Sequence, residues 1–411
     1  MHYSNHLGDI SFDAESLRAE RGQLSCELSL DELHVLETAC KYPNWQATSL
    51  ELAQAVSTDE HPVDELRLSQ IILSLRQKLD PMAEIVFPHL FSSTETATFS
   101  RQKDPYIGRL LNERYVLTRY IGGGSSSIVY QGLRREDDYP VAVKMLIIHS
   151  RTNAETKARF DREARLNSEL IHPNIVRVLD FGIDRSNQPF LVMELLDGAS
   201  LLEIVNKHGA PSTKELLGFL MQVLEGLSYA HARGIVHRDI KPSNMMLTGS
   251  DDAGFIVKIV DFGLARMAEN EPQNTEVTQS GQVVGSPPYM SPEQCRGETV
   301  DHRSDLYSFG CSLYELLQGC LPFSADEPVG VMLKHLKEPV PKLEVKGLEG
   351  EALNRLNKVV AGCLAKDREK RYQSALDAHK DLRAAFEVLD KGQQWEPKNK
   401  VLSWLAARFR Q

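Results

Sequence analysis

Apolar side chains recur with helical spacing in the first hundred residues of the chain. Residues 63–79 carry leucine and isoleucine on one face and polar or charged side chains elsewhere, which predicts an amphipathic helix. Residues 30–39 and 50–56 show this spacing over shorter stretches and predict two more helices. Residues 84–87 then show the pattern of a strand. The apolar face of the longest helix consists of Leu68, Ile71, Ile72, Leu75 and Leu79.

Polar stretches mark the predicted domain boundaries. Residues 92–98 are mostly serine and threonine and are interpreted as a linker or an exposed loop. We place a boundary near residue 100 and predict a linker over residues 101–114. Residues 391–411 form a tail in which 401–410 predict a short amphipathic helix. That helix either packs on the preceding domain or contacts a membrane surface or a partner.

Charge is unevenly distributed along the chain. The 411 residues contain 47 Lys and Arg against 57 Asp and Glu, a formal net charge of -10. Residues 1–100 hold 6 of these basic residues and 16 of the acidic ones, which is also a balance of -10. The remainder of the chain is therefore neutral overall, and the acidity belongs to the N-terminal part.

Cysteine usage and hydropathy bear on the cellular compartment. The cysteines form no Cys-x-x-Cys pair, which favours a reducing compartment over a disulfide framework or a zinc site. No stretch approaches the roughly 20 apolar residues that a membrane span requires, and the N-terminus lacks the layout of a signal peptide. We therefore expect a cytoplasmic protein. The six cysteines are Cys26, Cys40, Cys295, Cys311, Cys320 and Cys363.

Two short motifs carry the chemistry of phosphoryl transfer. Residues 236–244 read Val-His-Arg-Asp-Ile-Lys-Pro-Ser-Asn, and residues 261–263 read Asp-Phe-Gly. Phosphoryl transfer needs a carboxylate to orient the acceptor hydroxyl, a cation on the transferred phosphate and oxygen ligands for magnesium. Both motifs together contain all of these groups, and they indicate an ATP-dependent phosphotransferase.

A glycine-rich segment and a lysine-bearing strand stand upstream in the matching order. Residues 121–129 have the layout of a glycine-rich loop, and residues 141–144 read Val-Ala-Val-Lys. With these four motifs, residues 115–390 resemble a eukaryotic-type (Hanks-type) protein kinase of the sort that bacteria use as serine/threonine kinases. The resemblance implies an α+β, two-lobed protein kinase fold that uses ATP and Mg2+ and acts on protein substrates.

The resemblance implies catalytic roles for four residues. Asp239 orients the acceptor hydroxyl or acts as the base, and Lys241 neutralises charge on the γ-phosphate. Lys144 holds the α- and β-phosphates, and Glu163, which lies in a segment with a helical pattern, positions it. Lysine at position 241 is the family's mark of serine/threonine specificity. The implied magnesium ligands are Asn244 and Asp261.

The resemblance also implies a nucleotide-binding set. Glycines let the loop backbone approach the phosphates, and Ser127 at the third glycine position is small enough to be tolerated there. Residues 191–198 read as a buried strand followed by the segment that offers backbone groups to adenine. The implied set is Ile121, Gly122, Gly123, Gly124, Ser125, Ser126, Ser127, Ile128, Val129, Ala142, Lys144, Glu194, Leu196 and Met246.

Residues 261–293 match the family's activation segment, whose middle is polar in this chain. A phosphate on this segment could pair with Arg238 and order it, which makes three hydroxyls candidate autophosphorylation sites. Ser286 stands where the family usually has threonine. The resemblance further implies that Glu293 pairs with Arg371 and that Asp305 caps the catalytic loop. The candidate phosphorylation sites are Thr275, Thr278 and Ser280.

The order of elements in residues 7–95 resembles the winged-helix effector domain of bacterial response regulators. A small leading hairpin is expected from residues 10–12 and a turn at 20–23. DNA binding is disfavoured, because the domain is acidic and the last helix lacks basic residues where a reader of the major groove would need them. Protein contacts or regulation of the kinase are favoured. The positions in question are Leu66, Ile71 and Ser74.

The sequence thus predicts an acidic, winged-helix-like domain over residues 1–100 and a serine/threonine kinase domain over residues 115–390, with activity regulated by autophosphorylation of the activation segment. Two other classes stay open. One is a transcription regulator that carries its own kinase and binds duplex DNA. The other is a pseudokinase scaffold that binds nucleotide without transferring phosphate.

Overall fold

The fold is taken from a computed structural model of the chain. It describes residues 6–7, 10–13, 18–21, 24–27, 34, 46–48, 96–98, 106–124, 127–146, 154–185, 187–250, 254–262, 286–345 and 347–392. The chain divides into two compact units, Met1–Ile147 and Ile148–Gln411. This division falls within the predicted kinase domain, whereas the sequence predicts a domain boundary near residue 100.

Four short strands begin the first unit. They are β1 (His6–Leu7), β2 (Ile10–Asp13), β3 (Arg18–Arg21) and β4 (Leu24–Glu27), and they form an antiparallel sheet in that order. Arg21 is paired with Leu24, so the chain turns where the sequence predicts a turn. The predicted leading hairpin is therefore part of a larger sheet. The helices predicted over 30–39, 50–56 and 63–79 and the strand over 84–87 lie outside the described residues, apart from His34.

A further pair of strands corrects the interpretation of residues 96–98 as part of a linker or loop, while residues 92–95 lie outside the described residues. β5 (Gln46–Thr48) pairs antiparallel with β6 (Thr96–Thr98), with Ala47 opposite Ala97. The Thr-Ala-Thr stretch is too short and too polar for periodicity to indicate a strand. Its β-branched threonines nevertheless suit a pleated sheet once a partner strand supplies the backbone hydrogen bonds.

An antiparallel meander ends the first unit. It consists of β7 (Leu110–Leu111), β8 (Tyr115–Gly124), β9 (Ser127–Arg134) and β10 (Tyr139–Leu146). Leu111 is fully buried and paired with Tyr115, so the predicted linker 101–114 is too long at its C-terminal end. The buried ring of Tyr130 lies 5.7 Å from Tyr106 and 6.0 Å from Tyr120, and these aromatic contacts hold the segment from residue 106 against the sheet.

The second unit begins with a helix and a hairpin. Helix α1 (Ala154–Ser168) contains the segment that the sequence predicts as helical around Glu163. Strands β11 (Val178–Ile183) and β12 (Pro189–Glu194) pair antiparallel. β12 is buried along its length except at Glu194, which agrees with its nearly continuous apolar sequence.

A three-stranded sheet and helices make up the rest of the second unit. The sheet has the order β13 (Gly198–Ser200), β14 (Met245–Ser250), β15 (Gly254–Ile259). Capping boxes start the first two helices that follow β13, with Ser200 and Glu203 in one and Ser212 and Glu215 in the other. The helices are α2 (Leu201–His208), α3 (Thr213–His231), α4 (Pro292–Cys295), α5 (His302–Gln318), α6 (Pro328–Lys337), α7 (Gly350–Cys363) and α8 (Ala375–Gly392).

Helix α5 lies at the centre of this core. It is buried from Ser304 to Tyr314, including Asp305, so its polar side chains must find partners inside the protein. Gly310 allows the close approach of α7: a Cβ at this position would lie 2.6 Å from the Cβ of Cys363. Among the described helices, none is both long and apolar enough to cross a bilayer.

Candidate active site

The segment between α3 and β14 carries three of the predicted catalytic and metal-binding residues. Lys241 Nζ lies 2.8 Å from Asp239 Oδ2, and the two side chains are 23% and 24% exposed. Asn244 Nδ2 donates to the carbonyl oxygen of Asp239 at 2.8 Å and to its Oδ2 at 3.2 Å. The fold therefore brings Asp239, Lys241 and Asn244 into one cluster and leaves the carboxylate within reach of solvent.

The orientation of Asn244 follows from its hydrogen bonds. The residue ends a 3-10 turn, Pro242–Asn244, that begins with proline, whose missing N–H has no role at that position. The side chain is 5% exposed. Because Asp239 engages its amide nitrogen, the amide oxygen is the atom that can bind a cation.

Backbone pairing brings Asp261 next to Asn244. Met245 is paired with Ile259, and the N–H of Val260 donates to the carbonyl of Asn244 at 3.0 Å. Asp261 follows directly in the chain. Two protein oxygen ligands suit Mg2+, which is usually held by one or two protein groups together with substrate phosphates. Within the described ranges, no group of three or more His, Cys, Asp or Glu side chains is arranged to hold a metal ion.

The buried carboxylate of Asp305 binds the backbone of the catalytic loop, residues 237–244. Asp305 accepts hydrogen bonds from the backbone N–H groups of His237 (2.8 Å) and Arg238 (2.7 Å) and from Nε2 of His231 (2.7 Å). Burial alone would raise the pKa of Asp305, but the hydrogen bond and charge of His231 outweigh it, so that its pKa lies below the usual value. The capping role implied for Asp305 is confirmed.

His237 links the catalytic loop to the second motif. Its Nε2 donates to the carbonyl of Val260 at 2.8 Å, and its Nδ1 accepts from the N–H of Asp239 at 3.2 Å. This pair of contacts requires the neutral tautomer with the proton on Nε2. The ring also meets Phe262 edge to face, with centroids 4.5 Å apart. One histidine therefore holds the backbone on both sides of the site.

Two residues of the site have a left-handed backbone. Arg238 has φ of 72° and Asp261 has φ of 69°, values that are unfavourable for residues with a side chain. Arg238 is held by two backbone contacts: its N–H by Asp305, and its carbonyl by Nε2 of Gln294 at 3.0 Å. Gln294 is itself fixed, because its Oε1 accepts from the N–H of Ser291 at 2.9 Å.

The C-terminal end of the activation segment reaches the catalytic cluster through Ser286. Lys241 Nζ donates to Ser286 Oγ at 2.7 Å while it also pairs with Asp239. Ser286, which stands where the family usually has threonine, thus contacts the lysine that pairs with Asp239. Residues 263–285, which include Thr275, Thr278 and Ser280, lie outside the described residues.

Glu293 and Arg371 form the ion pair that the sequence predicts. The NH1 and NH2 groups of Arg371 lie 2.7 and 3.1 Å from Oε1 and Oε2 of Glu293. Ser304 Oγ donates to the same carboxylate. Burial would raise the pKa of Glu293, but the hydrogen bonds and charge of Arg371 outweigh this and hold it below its usual value.

The predicted adenine-contacting residues of the second unit lie on two sheets. Glu194 ends β12, Leu196 follows it, and Met246 lies on β14; all three are partly buried. The Glu194 carboxylate accepts from Lys258 Nζ at 2.7 Å and from the N–H of Arg177 at 2.8 Å. The side chain is thus engaged within the unit, and so is the N–H of Glu194, which donates to the carbonyl of Arg177 at 3.0 Å. The carbonyl of Glu194 stays the predicted contact to adenine from this residue.

The described residues of the glycine-rich segment lie in the first unit, on strands β8 and β9. β8 ends at Gly124 and β9 begins at Ser127, while Ser125 and Ser126 lie outside the described residues. The backbone of Gly124 is paired with that of Ser127. The side chains vary in burial: Ser127 and Ile128 are buried, Val129 is partly buried and Ile121 is exposed.

Lys144 and Ala142 lie buried on β10, the third long strand of the meander, where the sequence places them. Glu163 lies on α1, partly buried. The two residues of the predicted Lys144 and Glu163 pair belong to different units of the chain. Their pairing, and the roles of the glycine-rich segment, stay predictions.

Three polar residues that sequence reasoning missed contact this site. Gln294 holds the carbonyl of Arg238, and Lys258 holds the side chain of Glu194. Asn167 of α1 donates to the carbonyl of Phe262 at 2.8 Å. A polar residue amid the apolar positions of a helix was the available signal for Asn167, because such a residue needs a buried partner. The other two carry no comparable signal, since glutamine and lysine are ordinary surface residues.

Comparison with known proteins agrees with this geometry. The family model for the protein kinase domain matches residues 115–382. The chain is 35% identical over 288 residues to the serine/threonine-protein kinase pkn3 of Myxococcus xanthus, which covers 70% of this chain and 52% of that protein. It is 39% identical over 278 residues to the serine/threonine-protein kinase PknB of Mycobacterium leprae, which covers 66% of this chain and 43% of that protein.

The similarity is confined to part of the relatives. The chain spans about half the length of these curated relatives or less. Among solved structures, the kinase domain of Mycobacterium tuberculosis PknI, crystallised as a double mutant, has 23% sequence identity and a TM-score of 0.52 over 68% of this chain and 98% of that chain. At this identity the likeness concerns the fold alone. The chain belongs to the protein kinase domain family, among the bacterial serine/threonine kinases of the Hanks type.

Proposed function

We propose that the protein is an ATP-dependent serine/threonine kinase that transfers the γ-phosphate of ATP to hydroxyl groups of proteins. The observation that carries the proposal is the cluster around Asp239, in which Lys241 lies 2.8 Å from the carboxylate and 2.7 Å from Ser286 Oγ. A carboxylate and a cation thus lie side by side at the C-terminal end of the activation segment, where kinases of this family present the acceptor.

The residues divide the work of the transfer. Asp239 orients the acceptor hydroxyl and takes its proton late in the reaction, as the oxygen bonds to the γ-phosphorus and ADP leaves. Lys241 offsets the negative charge of the transferred group. Magnesium, when bound, supplies further positive charge to the phosphate oxygens. Asn244 and Asp261 present the oxygen ligands that fit this hard cation.

The restriction to serine and threonine rests on Lys241 and its contact with Ser286. An acceptor hydroxyl that is close to the main chain fits beside a lysine held in this way, as the family's Asp-x-Lys-Pro-x-Asn motif implies. Regulation by phosphorylation of the activation segment is part of the proposal. Its support is Arg238, which stands next to Asp239 with its backbone held by Asp305 and Gln294.

Phosphate transfer is tested with labelled ATP, magnesium and a generic acceptor protein. The full chain should label itself or the acceptor, and Asp239→Asn should reduce the rate by about 10²- to 10⁴-fold, the usual contribution of a positioned base. Nucleotide binding, measured in parallel, should survive in the variant. No label with the unchanged chain, combined with normal nucleotide binding, would instead support the pseudokinase alternative.

For the N-terminal part we propose a winged-helix-like domain that contacts proteins or regulates the kinase. Support comes from the four-stranded antiparallel sheet over residues 6–27 and from the pairing of Gln46–Thr48 with Thr96–Thr98. This pairing brings together the two ends of the segment in which the helices over 50–56 and 63–79 are predicted. The net charge of residues 1–100 opposes binding to DNA. Titration with duplex DNA at several salt concentrations tests this, since a steep loss of affinity with salt that requires residues 1–100 would contradict it.

A further inference from the structure

One buried hydrogen bond joins helix α1 to the Asp-Phe-Gly segment. Asn167 Nδ2 donates to the carbonyl oxygen of Phe262 at 2.8 Å, across 95 positions of sequence. Asn167 is 6% exposed and Phe262 is 5% exposed, so water cannot readily replace either partner. The neighbouring cavity is lined mainly by apolar side chains, among them Leu170, Ile175 and Met193. A buried carbonyl in such surroundings depends on its donor.

The position of Asn167 on α1 gives this bond its consequence. Glu163, the predicted partner of Lys144, precedes Asn167 by four residues, and side chains with this spacing lie on the same face of a helix. Any movement of α1 that displaces Glu163 therefore also displaces Asn167. The carbonyl of Phe262 would then lose its hydrogen-bond donor while it is still buried. The free energy of the displaced arrangement is raised, because a buried acceptor is left without a hydrogen bond.

The acceptor end of the bond lies directly beside the proposed metal ligand. Phe262 follows Asp261, whose φ of 69° is unfavourable for a residue with a side chain. Such a conformation persists only where the surroundings hold it. Asn167 holds the chain after Asp261, while the N–H of Val260, the residue before Asp261, is held by the carbonyl of Asn244 at 3.0 Å. The strained residue is therefore fixed on both sides.

We propose that Asn167 is a positioning residue that couples the position of α1 to that of Asp261, so that Glu163 and the proposed metal ligand Asp261 are correctly placed at the same time. The proposal rests on the proposed function, since it concerns how the site for Mg2+ and ATP is ordered. Asn167 acts through the backbone of the Asp-Phe-Gly segment.

The experiment compares three variants in the full chain. Asn167→Leu and Asn167→Ser both remove the bond. Leucine is similar in size to asparagine, and serine is a small polar residue with which the protein can stay folded if leucine is not tolerated. Asn167→Gln retains an amide donor. The control is Asn357→Leu in α7, because Asn357 Nδ2 likewise donates to backbone carbonyls, those of Leu343 (3.3 Å) and Leu353 (3.1 Å), away from the site.

The first readout is the gain in affinity for a fluorescent ATP analogue when Mg2+ is added. Removal of the bond should weaken this gain by about tenfold and leave binding without Mg2+ nearly unchanged, since an unsatisfied buried acceptor costs an amount of that order. The second readout is steady-state kinetics, in which kcat should fall while KM for an acceptor peptide stays constant. Asn167→Gln should recover part of both effects, and Asn357→Leu should show neither.

Two results would overturn the proposal. One is a normal Mg2+ effect in Asn167→Leu and Asn167→Ser. The other is an equal loss of the Mg2+ effect in Asn357→Leu, which would show that the loss comes from a general decrease in protein stability. Failure of the proposed function looks different: the unchanged chain would transfer no phosphate, yet its nucleotide binding would still respond to Mg2+ through Asn167.

Discussion

Glu293 and Arg371 meet in a buried ion pair although 78 positions separate them in the sequence. Two nitrogen atoms of Arg371 lie 2.7 and 3.1 Å from the two oxygens of Glu293, and NH1 also donates to the carbonyl of Arg303 at 2.7 Å. The planar guanidinium suits such a two-point contact, which lysine cannot reproduce. The pair joins the end of the activation segment to the segment between α7 and α8.

Loss of one partner of this pair should be strongly destabilising. Arg371→Leu leaves the Glu293 carboxylate buried without its cation, and we expect the free energy of unfolding to fall by about 3–5 kcal/mol in urea titrations. The exposed pair of Arg383 and Glu387, 3.3 Å apart, provides the control. Arg383→Leu should change stability by no more than about 0.5 kcal/mol. Equal effects of the two substitutions would contradict the role of the buried pair.

The same pair should make stability depend on pH. The pKa of Glu293 is lower in the folded protein than its usual 4.5, so its contribution is fully present above that value and is lost as the pH falls through the lower, folded value. The difference in unfolding free energy between the unchanged chain and Glu293→Gln should therefore shrink on acidification. Denaturant titrations over a series of pH values check this, and a difference that grows toward acidic pH would refute it.

Substitution of Asp305 should damage catalysis through the backbone of the loop. Asn in this position has one oxygen for three donors, and its amide group would face an N–H of His237 or Arg238. We expect Asp305→Asn to lower kcat by at least about tenfold, with ATP affinity less affected. Asp301→Asn, at the N-cap of the same helix, keeps a side chain that can cap the helix and removes only the charge paired with Arg303, so it should leave kcat nearly unchanged. Similar kcat values for both variants would contradict the capping role.

The hydroxyl of Ser286 should matter more than its size. Ser286→Ala removes the acceptor for Lys241 Nζ, and we expect kcat to fall by about tenfold. Ser286→Thr retains the hydroxyl and should keep activity close to that of the unchanged chain. Steady-state kinetics with one acceptor peptide compares the two variants. Equal losses of kcat would show that the size of the side chain matters and the hydrogen bond does not.

Gly310 should be intolerant of even a methyl group. A Cβ there would lie 2.6 Å from that of Cys363 and 3.0 Å from a methyl carbon of Leu364, so Gly310→Ala should destabilise the protein by about 1–3 kcal/mol. Gly218 in α3 has no atom within 4 Å of such a Cβ, and Gly218→Ala should stabilise by about 0.5–1 kcal/mol. Thermal melts of both variants distinguish steric overlap from a general effect of alanine.

Residue type singles out the candidate catalytic residues, because the chemistry of phosphoryl transfer restricts the choice. A base, a cation and oxygen ligands for magnesium leave few alternatives, so Asp239, Lys241, Asn244 and Asp261 stand out in the sequence, and the fold brings the first three into contact. Secondary structure followed where the pattern was strong, as in the helix around Glu163 and the buried strand β12. The polar strand Thr96–Thr98 escaped detection because only its partner identifies it as a strand.

Contacts between residues far apart in the sequence could not be predicted from the spacing of residue types along the chain. Asn167 and Phe262, or Gln294 and Arg238, meet because helices and loops pack at particular angles, and no spacing along the chain encodes such a meeting. The pair of Glu293 and Arg371 was predicted only through resemblance to a family.

From its amino acids alone this chain is predicted to be a phosphotransferase, because reactive groups must be of particular types and occur in a particular order. Its resemblance to a family then supplies the candidate catalytic, metal-binding and nucleotide-binding residues. The tertiary structure determines which hydrogen bonds hold the backbone around these candidate residues. Asp305, His237 and Gln294 fix the strained backbone around Asp239, and Asn167 ties α1 to Phe262, the residue after the proposed metal ligand Asp261. Buried hydrogen bonds of this kind depend on distances in space, since a donor and an acceptor interact only within about 3 Å of each other, wherever they lie in the sequence.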